Sequence, residues 1–495
     1  MNIHHISAEH LTIERIGEII NNDYKLALSD DARQRIVRCR QYLDEKIARQ
    51  KEPVYGVTTG FGSLCKVSIG KDELSQLQVN LMKSHACGVG ERVQKDIVRI
   101  MLLLKIQSLS YGYSGCKLDT VERLIDFFNC DITPVVYRQG SLGASGDLVP
   151  LAHLCLPLVG EGEVLMQGEV VSGAEMLRRM GWQPISMASK EGLALLNGTQ
   201  NMSAFAVWSL IEAQRLSDWA DAIAAMSLDA FDGRIEPFTH AVHAVRPHLG
   251  QIETARRFRE LLEGSQLIQG EKVHVQDPYS FRCVPQVHGA VKDTMRYVKS
   301  VIDIEINSAT DNPTVCPDDD LIISAGNFHG EPIALPIDFL SIAMSELANI
   351  SERRIYRLVS GLRGLPDFLV ANPGLNSGFM ITQYTAASCV SLNKSLAMPS
   401  SVDSIPSCQD QEDLVSMGAN AAIKLQKVIL NTERVLAIEL FNAAQALDFR
   451  LPKKSSPAIM RIRDAFREQV PFISDDVVMY PLIDRAINFL RTFRL

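Results

Sequence analysis

The chain has 495 residues, 46% apolar and 22% charged, the balance of a globular protein that buries a sizeable core. Its formal charge is −8, and no basic block stands out, which argues against nucleic acid or an anionic membrane as a partner. The 10 cysteines are scattered without a CxxC pair, and MNIHHISAEHLTIERIGEII has no basic stretch running into an apolar one. Both features lead to the expectation of a cytoplasmic protein with reduced thiols and no signal peptide.

In chain order, the first portion mixes short apolar runs with turns. VYGVTTGFG begins at Val54, and a turn is expected over VSIGKDE near Gly70. KDIVRIMLLLKIQSLSYG, from Lys95 to Gly112, has a helical pattern. GSLGASGDLVP, from Gly140 to Pro150, runs straight into the apolar LAHLCLPLV. GEGEVLMQGEVVSG, from Gly160 to Gly173, reads as a β-hairpin turning at Gln167-Gly168.

Beyond residue 200 long helical patterns take over. From Met202 to Phe231, Glu212, Arg215, Asp218 and Asp221 fall three apart and form a polar stripe on an otherwise apolar helix. From Gly418 to Leu447, Leu425, Val428, Ile429, Val435 and Leu436 keep the same period. THAVHAVRPHLG holds His240, His243 and His248, but Pro247 breaks the helical spacing and no Cys or carboxylate joins them. Packing or surface histidines are expected there, and no metal site. The uncharged run Phe368–Asn393 is interrupted by Asn372, Pro373 and Asn376, so it reads as core or site lining rather than a membrane span. The expected fold class is mainly α. A mixed N-terminal portion (1–200) carries the Tyr55 and Ser145 loops, and a long-helix bundle (201–495) completes one unit.

The loop GSLGASGDLVP holds the chemistry. A nucleophile elbow, G-x-S-x-G, fails at Asp147 and lacks an upstream strand. A phosphate loop would need a Lys that does not follow. A plain glycine-rich turn explains Gly140, Gly143 and Gly146, but not Asp147 entering an apolar helix. A fourth reading is backbone chemistry. In a squeezed loop the Gly146 amide nitrogen attacks the Ala144 carbonyl carbon. Loss of two waters then closes a five-membered ring and turns Ser145 into an exocyclic methylidene. Ala144 is small, Gly146 lacks a Cβ, and Ser145 carries the β-hydroxyl to be lost. The product is an electrophile that no ordinary side chain provides.

With these motifs the chain resembles the aromatic amino acid ammonia-lyases and aminomutases. Their prosthetic group, 4-methylidene-imidazol-5-one (MIO), forms autocatalytically from Ala-Ser-Gly. The resemblance runs from about Val54 to Gly418 through six motifs in order. It implies MIO from Ala144, Ser145 and Gly146, with no external cofactor and no metal. In YGVTTGFG it implies that Tyr55 is the catalytic tyrosine on a mobile loop. A free tyrosine has a pKa of about 10, so neighbouring donors must depress it for work as a base. In LMKSHACGVGE, Ser84-His85 matches a selectivity pair, with His85 meeting the substrate ring. In LALLNGTQ, Asn197 is the donor near the MIO carbonyl and the substrate carboxylate. VQDPYSFRCVPQVHG supplies Gln276, Tyr279 and Arg282, the last clamping the substrate carboxylate. SAGNFHGEP supplies Phe328 beside MIO, and SVDSIPSCQDQEDLVSMG supplies Glu412. Asp147 is expected to orient the loop for cyclisation.

Glu412 stands where phenylalanine and tyrosine lyases more often carry Gln. A carboxylate suits an imidazole N–H, so the resemblance is strongest to the histidine branch. The expected reaction is elimination of ammonia from L-histidine to trans-urocanate, the first step of histidine degradation. Tyrosine or phenylalanine ammonia-lyase and 2,3-aminomutase chemistry are the alternatives, and a non-catalytic helical scaffold is the reading from another class. The resemblance further implies a homotetramer with sites shared between subunits. Three residues depart from the branch: Phe281 replaces a usual Leu and is expected to narrow the pocket, and Leu414 and Met398 each replace a frequent His.

Overall fold

The computed structural model describes residues 2–49, 54–64, 66, 67, 69, 70 and 73–495. Cys65 and part of the turn expected over VSIGKDE lie outside them. The fold is mainly α, with helices as long as Gln200–Ala230, Glu331–Leu358 and Gly418–Asp448. The chain divides into two compact units, each assembled from separate stretches. The first contains Met1–Ile211, Lys299–Asp338 and Pro399–Ile423; the second contains Glu212–Val298, Phe339–Met398 and Lys424–Leu495. This differs from one break at residue 200, because packing groups segments that the chain order separates.

The first unit holds the short strands. Ile3–Ile6 pairs in parallel with Lys25–Leu28. The hairpin forms as read, Glu163–Met166 against Glu169–Ser172, with Met166 opposite Glu169. Gln167 (φ 54°) and Gly168 (φ 81°) make the left-handed two-residue turn that matches strand twist. The helix Lys95–Ser110 is buried continuously from Ile97 to Ser110, as its unbroken apolar run requires. Val57 of the VYGVTTGFG stretch packs with Cys39, Leu43 and Val315, which anchors the segment after Tyr55. Burying such a valine contributes about 1.5–3 kcal/mol.

In the second unit Ala348, Ile355, Ala386, Val390, Val435 and Ile438 form one apolar cluster. The polar stripe of the helix Gln200–Ala230 is no solvated face. Arg215 pairs with Glu212 and Glu433, and the fully buried Asp221 accepts from His288 Nδ1 at 2.8 Å and Lys292 Nζ at 2.7 Å. His243 is a packing histidine, its ring bonded to the Pro237 carbonyl and the Gln251 amide. The helix Glu331–Leu358 is apolar enough to cross a membrane by length and composition, with mean hydropathy 1.4, but 72% of that window is buried within the fold. The uncharged run is core only in part. Its helix Met380–Leu396 buries Thr382, Ala386, Val390 and Asn393 and exposes Ile381, Tyr384 and Leu392.

Candidate active site

The Ser145 loop is compressed between backbones. Gly143 (φ 67°) and Gly146 (φ 73°) both need left-handed geometry. A Cβ on Gly146 would stand 2.2 Å from the Gly198 carbonyl oxygen, and one on Gly143 would stand 2.3 Å from Ser416 Oγ. Ala144 and Gly146 pair in an isolated bridge, and Gly146 pairs with Gly198. Ser416 Oγ donates to the Gly143 carbonyl at 3.0 Å.

Asp147 ties the loop to the helix that begins at Leu148 and to the segment after Asn197. Its carboxylate accepts from Ser141 Oγ at 2.9 Å and the Met202 N–H at 2.9 Å, and its own N–H donates to the Gly198 carbonyl at 2.7 Å. Full burial raises its pKa to about 6 against these stabilising donors.

Asn197 caps the short helix Glu191–Leu196 and points its amide at the loop. Its Nδ2 donates to the Ser145 carbonyl oxygen at 2.6 Å. Among the described residues its Oδ1 is buried without a hydrogen-bond partner.

Glu412 arrives on a tight loop in which Ser407 and Glu412 pair and Cys408, Gln409 and Asp410 are all left-handed. Non-glycine residues in that region cost of order 1–3 kcal/mol each and persist where the surroundings fix them. Here the strain aims a carboxylate. Glu412 Oε1 accepts from Ser145 Oγ at 2.6 Å and Oε2 from Ser407 Oγ at 2.5 Å.

His85 ends the helix Leu74–His85, with Nδ1 3.0 Å from Ser84 Oγ. Partial burial lowers its pKa, opposed by the Leu81 carbonyl and the Glu412 charge. Ser84, His85, Ala144, Ser145, Gly146 and Glu412 line one cavity of about 320 Å³. Five expected site residues therefore converge in the first unit, with Asn197 bonded beneath them.

Tyr55 and Phe328 belong to the same unit but do not line that cavity. Tyr55 borders another space, of about 700 Å³, with Lys46, Pro313 and Ser324. Its hydroxyl accepts the Gly62 N–H at 3.1 Å. Phe328 lies half-buried in the turn before the helix Glu331–Leu358.

In the second unit Gln276, Tyr279 and Arg282 line a cavity of about 500 Å³ with Phe231, Asp277 and Arg363. The Arg282 guanidinium lies 4.6 Å over the Tyr279 ring. Phe281 does not narrow this space. It is fully buried and stacks on Phe231 at 4.5 Å, and Phe231 lines the cavity instead. Leu414 and Met398 are exposed. The Leu414 carbonyl meets His329, and that of Met398 accepts from Lys424.

Several supporting residues were not singled out from the sequence. Ser407 and Cys408 sit inside the quoted QED motif, and only their contacts reveal them: Cys408 Sγ accepts the Ser63 N–H at 3.4 Å. Asp277 and Arg363 belong to the same group, bonded at 2.5 Å. Nothing local in the sequence marks such partners, which lie far apart in the chain.

The chain matches the family described as Aromatic amino acid lyase over residues 11–468. It is 50% identical to a histidine ammonia-lyase of Caldanaerobacter subterraneus subsp. tengcongensis, over 99% of this chain and 97% of that protein. Among solved structures, histidine ammonia-lyase from Trypanosoma cruzi superimposes with TM-score 0.92 at 39% identity, covering 99% of this chain and 94% of the other. Tyrosine aminomutase from Streptomyces globisporus does so with TM-score 0.92 at 35% identity, covering 99% and 97%.

Proposed function

The chain belongs to the aromatic amino acid lyase family, and from that membership we propose that it eliminates ammonia from L-histidine to give trans-urocanate. The observation that carries the substrate is Glu412, a carboxylate facing Ser145 in the cavity that His85 also lines. A carboxylate accepts an imidazole N–H and stabilises its charge, whereas an amide would suit a phenyl ring. Histidine ammonia-lyases about 50% identical to this chain support the same substrate.

The reading includes MIO built from Ala144, Ser145 and Gly146. The loop suits it: Gly146 has no room for a Cβ, and the Ala144 and Gly146 backbones are already paired. Asn197 offers a placed donor to the Ser145 carbonyl oxygen. When formed, the group supplies an electrophilic carbon for the substrate amine, which makes that nitrogen a better leaving group. The remaining work falls to side chains. Glu412 and His85 hold the imidazole. Tyr55 takes the β-proton, with Glu412 assisting. Arg282 clamps the carboxylate with its planar fork, and Gln276, Tyr279 and Asn197 fix its orientation. Phe328 packs beside the reacting loop.

Tyr55 shares a unit with Ser145 but not a cavity. That separation supports a homotetramer in which neighbouring subunits complete each site. The substrate is a small amino acid, and the scattered cysteines favour the cytoplasm.

Incubating the purified chain with L-histidine and following urocanate absorbance tests the reading. Urocanate and ammonia should appear, and Ser145→Ala should lose nearly all turnover together with the near-ultraviolet band of MIO. Absence of urocanate, or full activity in Ser145→Ala, overturns it. A β-amino acid product would assign the chain to aminomutase chemistry instead.

A further inference from the structure

The compressed loop is held from behind by one buried lysine. Lys105 is 1% exposed, on the helix Lys95–Ser110 that is buried from Ile97 onward. Its ammonium donates to the carbonyl of Ala194 at 3.1 Å and to that of Asn197 at 2.8 Å. Both acceptors lie at the C-terminal end of the helix Glu191–Leu196, where the backbone dipole favours a cation. The nearby Asp311 is bound instead by Lys190 at 2.6 Å and Ser114 at 2.7 Å. Burial pushes the Lys105 ammonium below the usual lysine range. An apolar side chain could fill the same space without desolvating a charge, so packing alone gives no reason for lysine here.

Of the two clamped residues, Asn197 touches the reacting peptide, and so does its neighbour Gly198. Asn197 Nδ2 donates to the Ser145 carbonyl at 2.6 Å. The next residue, Gly198, presses its backbone on Gly146 and accepts the Asp147 N–H at 2.7 Å. Fixing the Asn197 carbonyl therefore fixes both the amide that meets the Ser145 carbonyl and the backbone that meets Gly146.

We propose that Lys105 is a positioning residue for loop cyclisation, holding Asn197-Gly198 against Ser145-Gly146 so that the Gly146 nitrogen is driven onto the Ala144 carbonyl carbon. This rests on the reading that the loop matures to MIO. In that step a bond forms between Gly146 N and Ala144 C. The Ala144 carbonyl oxygen leaves as water with the amide protons of Gly146 and Ser145, and C=N forms to the Ser145 nitrogen. Ser145 Oγ leaves as a second water with the Ser145 Cα hydrogen, and the methylidene results. No oxidant or reductant is consumed.

The test uses intact mass of the full chain, with folding checked by circular dichroism and thermal unfolding. The wild-type chain should be about 36 Da lighter than its sequence mass; an unmodified wild-type chain would defeat the parent reading itself. With the wild type cyclised, Lys105→Met should fold yet cyclise roughly 100-fold more slowly, the scale expected when reacting groups are displaced by about 1 Å. A folded Lys105→Met chain that loses both waters as completely and as fast as wild type overturns the proposal. If Lys105→Met does not fold, Lys105→Gln, polar but shorter and uncharged and so unable to reproduce the ammonium's reach to both carbonyls, decides. A slowed mass loss after refolding supports the clamp, and a wild-type rate overturns it. A merely structural lysine would change the unfolding midpoint and leave the cyclised fraction of folded chain unchanged.

Discussion

Glu412 accepts two hydroxyls at once, from Ser145 and Ser407, and its identity as Glu rather than Gln sets the charge of the cavity. Glu412→Gln should lower kcat/KM for histidine by about 30- to 150-fold, the cost of a lost charge-assisted hydrogen bond of roughly 2–3 kcal/mol. Turnover of phenylalanine should suffer far less. Parallel assays of both substrates check this, and equal losses would remove the imidazole assignment. Ser145 and Glu412 were legible in the sequence because each sits in a distinctive local motif. Lys105 was visible only as one letter of an apolar helix. Its meaning comes from carbonyls 89 and 92 positions away, which no local pattern encodes.

Among the elements, the segment Gln276–Arg282 is held by a distant residue. Arg363 donates to the buried Asp277 carboxylate at 2.5 Å and to the Gln276 carbonyl at 3.2 Å, and its guanidinium lies 4.4 Å over the Phe231 ring. Phe281 continues that stack, so the exchange of a usual Leu for Phe is absorbed by aromatic packing rather than by the cavity. Arg363→Ala should destabilise the chain by about 3 kcal/mol, because it removes the guanidinium from the buried Asp277 carboxylate and leaves it only the Arg234 N–H and the His274 ring. Urea unfolding measures the loss, and a change below about 0.5 kcal/mol, ordinary for a plain surface site, would refute the anchoring role. The hairpin and the long helices were readable because period and turn chemistry are local. The polar stripe on Gln200–Ala230 was readable as a stripe only. Its burial depends on His288 and Lys292, which the spacing cannot reveal.

For the whole molecule, the buried ionisable groups give stability a definite dependence on acidity. Burial lowers His288 to about 4, against 6.5 when unfolded, so between these values the unfolded chain binds the proton more strongly. Its contribution is complete above about pH 6.5 and is lost as pH falls towards 4. Asp147 and Asp229, both raised to about 6 by burial, work in the opposite direction, with the folded chain holding the proton as pH drops through 6. His288→Gln should therefore lose less stability between pH 7 and 5 than wild type does, read as the shift of the urea midpoint. An equal shift in both chains would exclude His288 as a source. The mainly α class followed from helical period alone. The two-unit division did not, because Lys299–Asp338 and Pro399–Ile423 join the first unit through contacts that the chain order conceals.

The bond from Ser145 Oγ to Glu412 seats the loop's own hydroxyl on the carboxylate proposed to receive the substrate ring. With Ser407 on the other oxygen, an incoming imidazole N–H would have to share an oxygen with one of these hydroxyls or displace it. On the proposed reading, loss of the Ser145 hydroxyl would do two things in one event: it would create the reactive carbon and clear the ring's approach to Glu412. An unprocessed loop would then be doubly handicapped, without the reactive carbon and with a competitor already seated on the docking carboxylate.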